Sequence, residues 1–281
     1  MKRLGSFLTA CLLSHALTAR AADMQGANYE SGGDTPIAAD VPGSPAPVAP
    51  ASLFSGDLEF KSNFVARGIS QSQGQPSIQA EIDVNSGDGV YGGMDGDSIN
   101  WIDQLFPGDS VDTELDGWLG YRKHFGADWS AKTGFVRIQF PGHYVQQSPP
   151  AEQPNSTEVF AYIAWRGLSA QLNYAVTDYV GTADSRGTAY LSVSASQPIG
   201  EIWTLGADIG HVDHAGHNPM TGQPNSLSDY TDYKLSIACD LGSGISLTLA
   251  HTWTNADPGG YTLKGYDLAG HHTWLMLEKD F

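Results

Sequence analysis

From Ser55 onward the sequence alternates apolar and polar residues at every second position, and this period constrains the fold more than any other feature. In SGDLEFKSNFVARGIS, Leu58, Phe60, Phe64 and Ala66 alternate with Glu59, Lys61, Asn63 and Arg67. In PSIQAEIDV, Ile78, Ala80, Ile82 and Val84 alternate with Gln79, Glu81 and Asp83. TEVFAYIAW, LSAQLNYAV, TAYLSVSAS, YKLSIACDL and ISLTLAHTW repeat the pattern. Successive side chains of a strand point to opposite faces, so each run reads as a strand with one apolar and one polar face. No comparable 3.6-residue stripe interrupts them, and the class is all-β.

Twelve strands are predicted, near 56–69, 76–84, 89–96, 113–124, 128–140, 156–166, 168–178, 187–197, 201–211, 229–241, 244–254 and 272–281. The connections alternate between minimal turns (NSGDG, GAD, Gly167, PIGE, LGSG) and long loops, after a modest first one, SQSQGQ. A soluble sandwich has no reason to gather its long loops at one end. An outer-membrane barrel does, with short periplasmic turns and long extracellular loops. The predicted strands mostly exceed the mode of about five or six residues in ordinary sheets, and a tilted membrane strand needs about nine to eleven. The architecture expected is therefore an antiparallel transmembrane β-barrel of about twelve strands.

Alternation alone does not say which face is the inside, because a soluble sheet shows it as well. In a membrane barrel the apolar face meets lipid and the polar face lines the lumen. The lining expected on that basis is Glu59, Lys61, Arg67, Glu81, Asp83, Glu114, Asp116, Arg137, Asp208 and Lys234. Phe64, Trp118, Trp129, Phe140, Trp165, Tyr174, Trp203, Tyr233 and Trp253 lie near strand ends, where interfacial aromatic girdles belong. The last strand, HTWLMLEKDF, runs to Phe281. A closed barrel must pair its last strand with its first, since unpaired backbone is costly in lipid. Outer-membrane proteins resemble one another in such an aromatic ending, so Phe281 is expected to serve as an assembly signal for the barrel-assembly machinery.

The first residues read as a leader. Lys2 and Arg3 precede the apolar LGSFLTACLLSHALTA, and Ala19-Arg20-Ala21 supplies a cleavage pattern before Ala22. A lipoprotein box ending at Cys11 would leave a very short apolar region, which favours the first reading. The expected organisation is a signal peptide at 1–21, a Pro/Ala-rich periplasmic tether at 22–54 and a barrel at 55–281. Removing Lys2, Arg3 and Arg20 from the 14 basic residues leaves 11 against 31 acidic ones, a net charge of −20. Such a balance disfavours nucleic acid and favours cations. Only Cys239 remains after the leader, so no intramolecular disulfide forms, and its place among Leu235, Ile237 and Leu241 makes it a small apolar residue.

FVARGISQSQGQPSIQAEIDVNSGDGVYGG resembles the opening hairpin of the TorF porin family through Arg67, Gly68, Ile69, Ser70, Gln71, Gln75, Pro76, Ile78 and Gln79. TELDGWLGYRKHFG, the run from Asn155 to Tyr162, and SDYTDYKLSIACDLG add looser echoes. The resemblance spans Ser55 to Phe281 and implies an outer-membrane barrel of the pore type, without a solute.

GHVDHAGHNP places His211, Asp213, His214 and His217 within seven residues, a set that suits Zn²⁺ or Cu²⁺ if the loop holds them together. His271 and His272 could join them across loops. Ser192, Ser194 and Ser246, with His143 and His251, offer the residue types of a barrel hydrolase, but no motif ties a pair together, so no enzyme is expected. The reading is a porin-like channel for small hydrophilic solutes, favouring cations or neutral molecules, without a cofactor. The alternative is a plugged barrel whose loop 212–228 binds a metal ion or surface partner. Membrane lipid and lipopolysaccharide are the expected surroundings.

Overall fold

A computed structural model describes residues 53–85, 87–105, 108–145 and 153–281. The expected leader and all but the last two residues of the tether lie outside the described residues. Twelve antiparallel strands form one closed barrel. They are β1 (Phe54–Lys61), β2 (Ser77–Asn85), β3 (Gly89–Ser98), β4 (Thr113–Phe125), β5 (Trp129–Gln139) and β6 (Ser156–Trp165), followed by β7 (Leu168–Ala175), β8 (Ala189–Ile199), β9 (Trp203–Asp213), β10 (Tyr230–Gly242), β11 (Ile245–Thr254) and β12 (His272–Asp280). Each pairs with its neighbours in sequence, and β12 returns to β1 with Leu58 opposite Lys279 and Phe60 opposite Leu277. Beyond β12, the Phe281 N–H donates to the Gly56 carbonyl at 2.9 Å and the Gly56 N–H to the Phe281 carbonyl at 3.1 Å. Closure leaves no sheet edge to pair with another chain.

The period of two sorts the side chains as the sequence requires. Leu58, Phe60, Ile82, Leu119, Leu172, Val193, Leu249 and Leu275 stand exposed on the outside, an unbroken apolar belt. Glu59, Gln79, Glu81, Asp116, Glu158 and Asn173 point inward and are buried. One end of the barrel carries only short turns, ringed on the outside by Tyr121, Phe125, Trp129, Trp165 and Trp203; Trp129 and Trp165 lie 5.9 Å apart. The other carries six loops, L1 (62–76), L2 (99–112), L3 (140–155), L4 (176–188), L5 (214–229) and L6 (255–271). L2 contains the short helix α1 (Trp101–Leu105) and L6 contains α2 (Pro258–Tyr261).

Apolar residues of these loops pack together over that end. Trp101, Ile102, Val111, Phe140, Tyr179, Val180, Tyr261 and Leu268 are buried in one cluster, with Trp101 edge-on to Phe140 at 5.9 Å. The cluster continues into the barrel through Tyr91, Trp118, Val136 and Phe160 of the strands.

The first strand departs from expectation. It was predicted to reach residue 69, yet it stops at Lys61. The Ser62 N–H donates to the Leu275 carbonyl at 2.8 Å and the Ser62 hydroxyl accepts the Leu275 N–H at 2.9 Å, after which the chain leaves the wall. Val65–Ala66 then pairs with Ile69–Ser70 as a separate two-residue ladder. Arg67 (φ +43°) and Gly68 (φ +79°) form its turn. Two successive residues in the left-handed region turn a hairpin within two positions. The alternation of FVARGIS continues through this turn and hides it.

The candidate pore and its constriction

Two walls of the lumen differ in how much room they leave. On β12, β1, β2 and β3 the inward positions hold Trp274, Met276, Glu59, Lys61, Gln79, Glu81 and Asp97, all buried. Lys61 is the hub of their polar contacts. Its ammonium lies 2.7 Å from Glu59 and 3.5 Å from Asp97, and it donates to the Gln79 side-chain oxygen. A cation among carboxylates offsets charge that burial would otherwise make costly. On β4, β5 and β6 large side chains again fill the space, with the Arg122 guanidinium 5.0 Å from the Tyr91 ring and the Lys132 ammonium 4.9 Å from Tyr162.

On β8, β9 and β10 the inward positions are small. Ser192, Ser194 and Ser196 face inward on β8, Thr204, Gly206 and Asp208 on β9, and Lys234, Ser236 and Ala238 on β10. All nine are part-exposed, so the free part of the lumen runs along this wall. Asp208 and Lys234 are cross-strand neighbours on it, 3.5 Å apart.

Toward the long-loop end that free space meets L1. Nearly every residue from Asn63 to Ser72 is buried, and the loop is tied to itself through Asn63, whose side-chain oxygen accepts from the Ser70 hydroxyl (2.6 Å), the Ser72 hydroxyl (3.1 Å) and the Gly74 N–H (3.0 Å). It is also tied to its neighbours: the Ser70 N–H donates to the Leu268 carbonyl at 2.8 Å and the Asn100 N–H to the Gln71 carbonyl at 3.1 Å. The tip crosses from β1 to the far wall. Both terminal nitrogens of Arg67 bind the Glu158 carboxylate of β6, at 2.8 and 3.3 Å, and one also donates to the Tyr179 hydroxyl at 3.0 Å. The guanidinium lies 4.4 Å from the centre of the Tyr190 ring on β8. The Tyr190 hydroxyl in turn donates to Asp232 on β10 at 3.2 Å.

Arg67 is 2 % exposed and Glu158 1 %. Such a two-pronged pair is among the stronger ion-pair geometries, and in a buried setting losing one partner leaves the other charge stranded. The tip fits tightly: a Cβ on Gly68 would stand 2.6 Å from side-chain atoms of both Asp232 and Thr254. Gly210 likewise makes room for Tyr190, since a Cβ there would lie 2.1 Å from its hydroxyl. A non-glycine residue at positive φ costs on the order of 1–3 kcal/mol, so Arg67 holds a turn position for which asparagine or glycine is better suited. Its side chain, anchored on Glu158, offsets that cost.

The expected lining residues divide accordingly. Glu59, Lys61, Glu81, Glu114 and Asp116 face inward and are buried; Asp83, Asp208 and Lys234 face inward and are part-exposed; Arg67 comes from L1 instead of a strand. Arg137 stands on the outer face, donating to the Thr157 hydroxyl at 2.9 Å, while its neighbours Val136 and Ile138 turn inward beneath the loops. Near this rim the inside is the apolar side, which reverses the rule that put Arg137 in the lumen. Of the expected girdle, Trp129, Trp165, Tyr174, Trp203, Tyr233 and Trp253 are only partly covered, and Tyr233 stacks on Trp253 at 5.3 Å. Phe64, Trp118 and Phe140 are buried inside, so position near a strand end did not settle their face.

The four candidate metal ligands are spread apart. His211 is on the outer face beside Thr231 (3.0 Å), and Asp213 is exposed at the end of β9. His214 is buried against Asp229 (3.1 Å), and His217 bridges to Pro224. Among the described residues, no three His, Cys, Asp or Glu side chains gather as a metal-holding group. His251 lies on the outer side of β11 beside Thr273 (2.8 Å), whereas Ser192, Ser194 and Ser246 face inward, the last bonded to Glu278. His143 lies in L3, bridged through its backbone to Ser110. The candidate nucleophiles and these histidines therefore do not meet.

Comparison with solved structures finds a KdgM porin at 9 % identity and TM-score 0.48, covering 81 % of this chain and 98 % of that one. A NanC porin gives 10 %, 0.47, 80 % and 98 %. An outer membrane channel from Pseudomonas putida F1 gives 11 %, 0.48, 83 % and 97 %. No curated protein sequence matches the chain. One family model covers the whole barrel, residues 46–281, and by that match the chain belongs to the bacterial family of unknown function described as Gcw_chp.

Proposed function

We propose that this chain is an outer-membrane channel that lets small hydrophilic solutes diffuse passively, favouring cations and neutral molecules. The observation that carries the reading is the part-exposed polar wall of β8, β9 and β10 inside a barrel whose outside is an apolar belt. In a bilayer the belt meets lipid and the wall meets water. Acidic residues outnumber basic ones along the lumen, and such a surface raises the local concentration of cations. The TorF resemblance of the first hairpin agrees with this reading. On it, residues 1–21 direct export, 22–54 form a periplasmic tether, and Phe281 is part of the signal read by the assembly machinery. The long loops then face outward among lipopolysaccharide.

The test is purified, refolded protein in a planar bilayer. Discrete conductance steps with a reversal potential on the cation side are expected. Silence from every form of the barrel, or clear anion selectivity, overturns the proposal.

A further inference from the structure

The place where L1 meets the far wall has the chemistry of a binding site, and Arg67 is the group it binds. A carboxylate that accepts two parallel N–H bonds, a phenol oxygen, an aromatic face and a second carboxylate nearby surround one planar cation. Carboxylate oxygens match the fork of a guanidinium, and a tyrosine face attracts its positive charge. The site is carried by strands and L4, while its occupant is carried by a hairpin that has left the wall. Occupant and site are therefore separable. The part-exposed wall of β8 and β10 leads to it from the short-turn end.

We propose that Glu158, Tyr179, Tyr190 and Asp232 form a guanidinium site at the constriction of the channel, that Arg67 occupies it as an internal ligand and thereby latches L1 across the lumen, and that a solute carrying a guanidinium group takes the same site when L1 withdraws. This rests on the channel reading and names its gate and its preferred solute class. The site serves two ends at once: it closes the path when Arg67 fills it, and it retards a matching cation in transit.

The experiment uses the full chain, refolded and checked by heat-modifiable migration, in planar bilayers. Arg67→Ala is expected to raise open occupancy by about tenfold, the change that ~1.4 kcal/mol in the open–closed balance gives. Millimolar guanidinium chloride is then expected to reduce the Arg67→Ala current, while tetramethylammonium chloride and urea at the same concentration leave it unchanged. Glu158→Gln is expected to raise the current without conferring that block, because it releases Arg67 and weakens the site together. An Arg67→Ala current equal to wild type, or equal block by guanidinium and tetramethylammonium, overturns the inference. A barrel with residues 62–76 replaced by a short linker separates the two claims. If it conducts while Arg67→Ala behaves as wild type, this inference fails and the channel reading stands; if it too is silent, the channel reading fails as well.

Discussion

On β12, β1 and β2 the inward positions carry Trp274, Met276, Glu59, Lys61, Gln79 and Glu81, whereas β8, β9 and β10 carry Ser194, Ser196, Gly206 and Ser236. Both walls are built from the same period of two and both present apolar side chains outward. They differ in charge and above all in side-chain volume, and volume decides the role of each. The first fills its half of the lumen and depends on internal ion pairs; the second leaves its half free. A barrel of twelve strands is intermediate between small filled barrels and open porins, and this one resolves the choice by being filled on one side.

Substitutions that treat the walls alike should therefore give unlike results. Lys61→Met has the largest expected effect, because Glu59 and Asp97 lose the cation between them; loss of one partner from a buried pair costs about 3–5 kcal/mol. Urea unfolding in lipid vesicles measures it, and a loss below the scatter of the method would mean that water reaches this wall too. Leu249→Arg probes the outer belt common to both walls, where an arginine near the bilayer midplane costs about 2–4 kcal/mol. The same urea titration reads it, and a neutral outcome would put β11 outside the apolar slab.

Ser194→Ala on the free wall should change stability by no more than about 0.5 kcal/mol, as for substitutions away from packed features. Ser194→Trp should lower single-channel conductance while the barrel still folds. Asp208→Asn removes one negative charge from the free wall and should move the reversal potential toward anions, a small shift because other lumen acids remain.

The smallest effect lies at the short-turn end. Hydrogen bonds from Lys123, at 2.5 Å, and from His124 hold the Asp88 carboxyl well below the usual carboxylate range. A depressed folded pKa contributes stability above the unfolded value, and that contribution is lost as pH falls toward the folded one. Wild type should therefore exceed Asp88→Asn in thermal stability at neutral pH and converge with it in strong acid. A gap that persists unchanged in acid would show that the turn is held by something other than this charge.

Alternation made the twelve strands legible, since a one-residue slip would turn every apolar side chain inward. The loop alternation made the two ends legible as well. What escaped was the inside of the long-loop end. There the apolar loops reverse the rule of polar inside and apolar outside, which is why Arg137 is outside and Trp118, Phe140 and Phe64 are inside. The L1 turn escaped because its sign is a positive φ, and arginine does not announce one as asparagine does. The free wall is marked in the sequence only by the small size of serine and glycine on β8 and β9, which alternation of polar and apolar residues does not register.

The burial of L1 also has a practical consequence for work on intact cells. Apart from Ser62, where the chain leaves β1, only Gly74, Gln75 and Pro76 of that loop are exposed, while residues 63–72 are buried. On the channel proposal, antibodies and proteases outside the cell would meet there a crest of three consecutive residues. Cys239, the sole cysteine among the described residues, is covered as well. A cysteine introduced at Ile69 and treated with a membrane-impermeant thiol reagent would turn the hidden segment into a live report of whether the mouth is open.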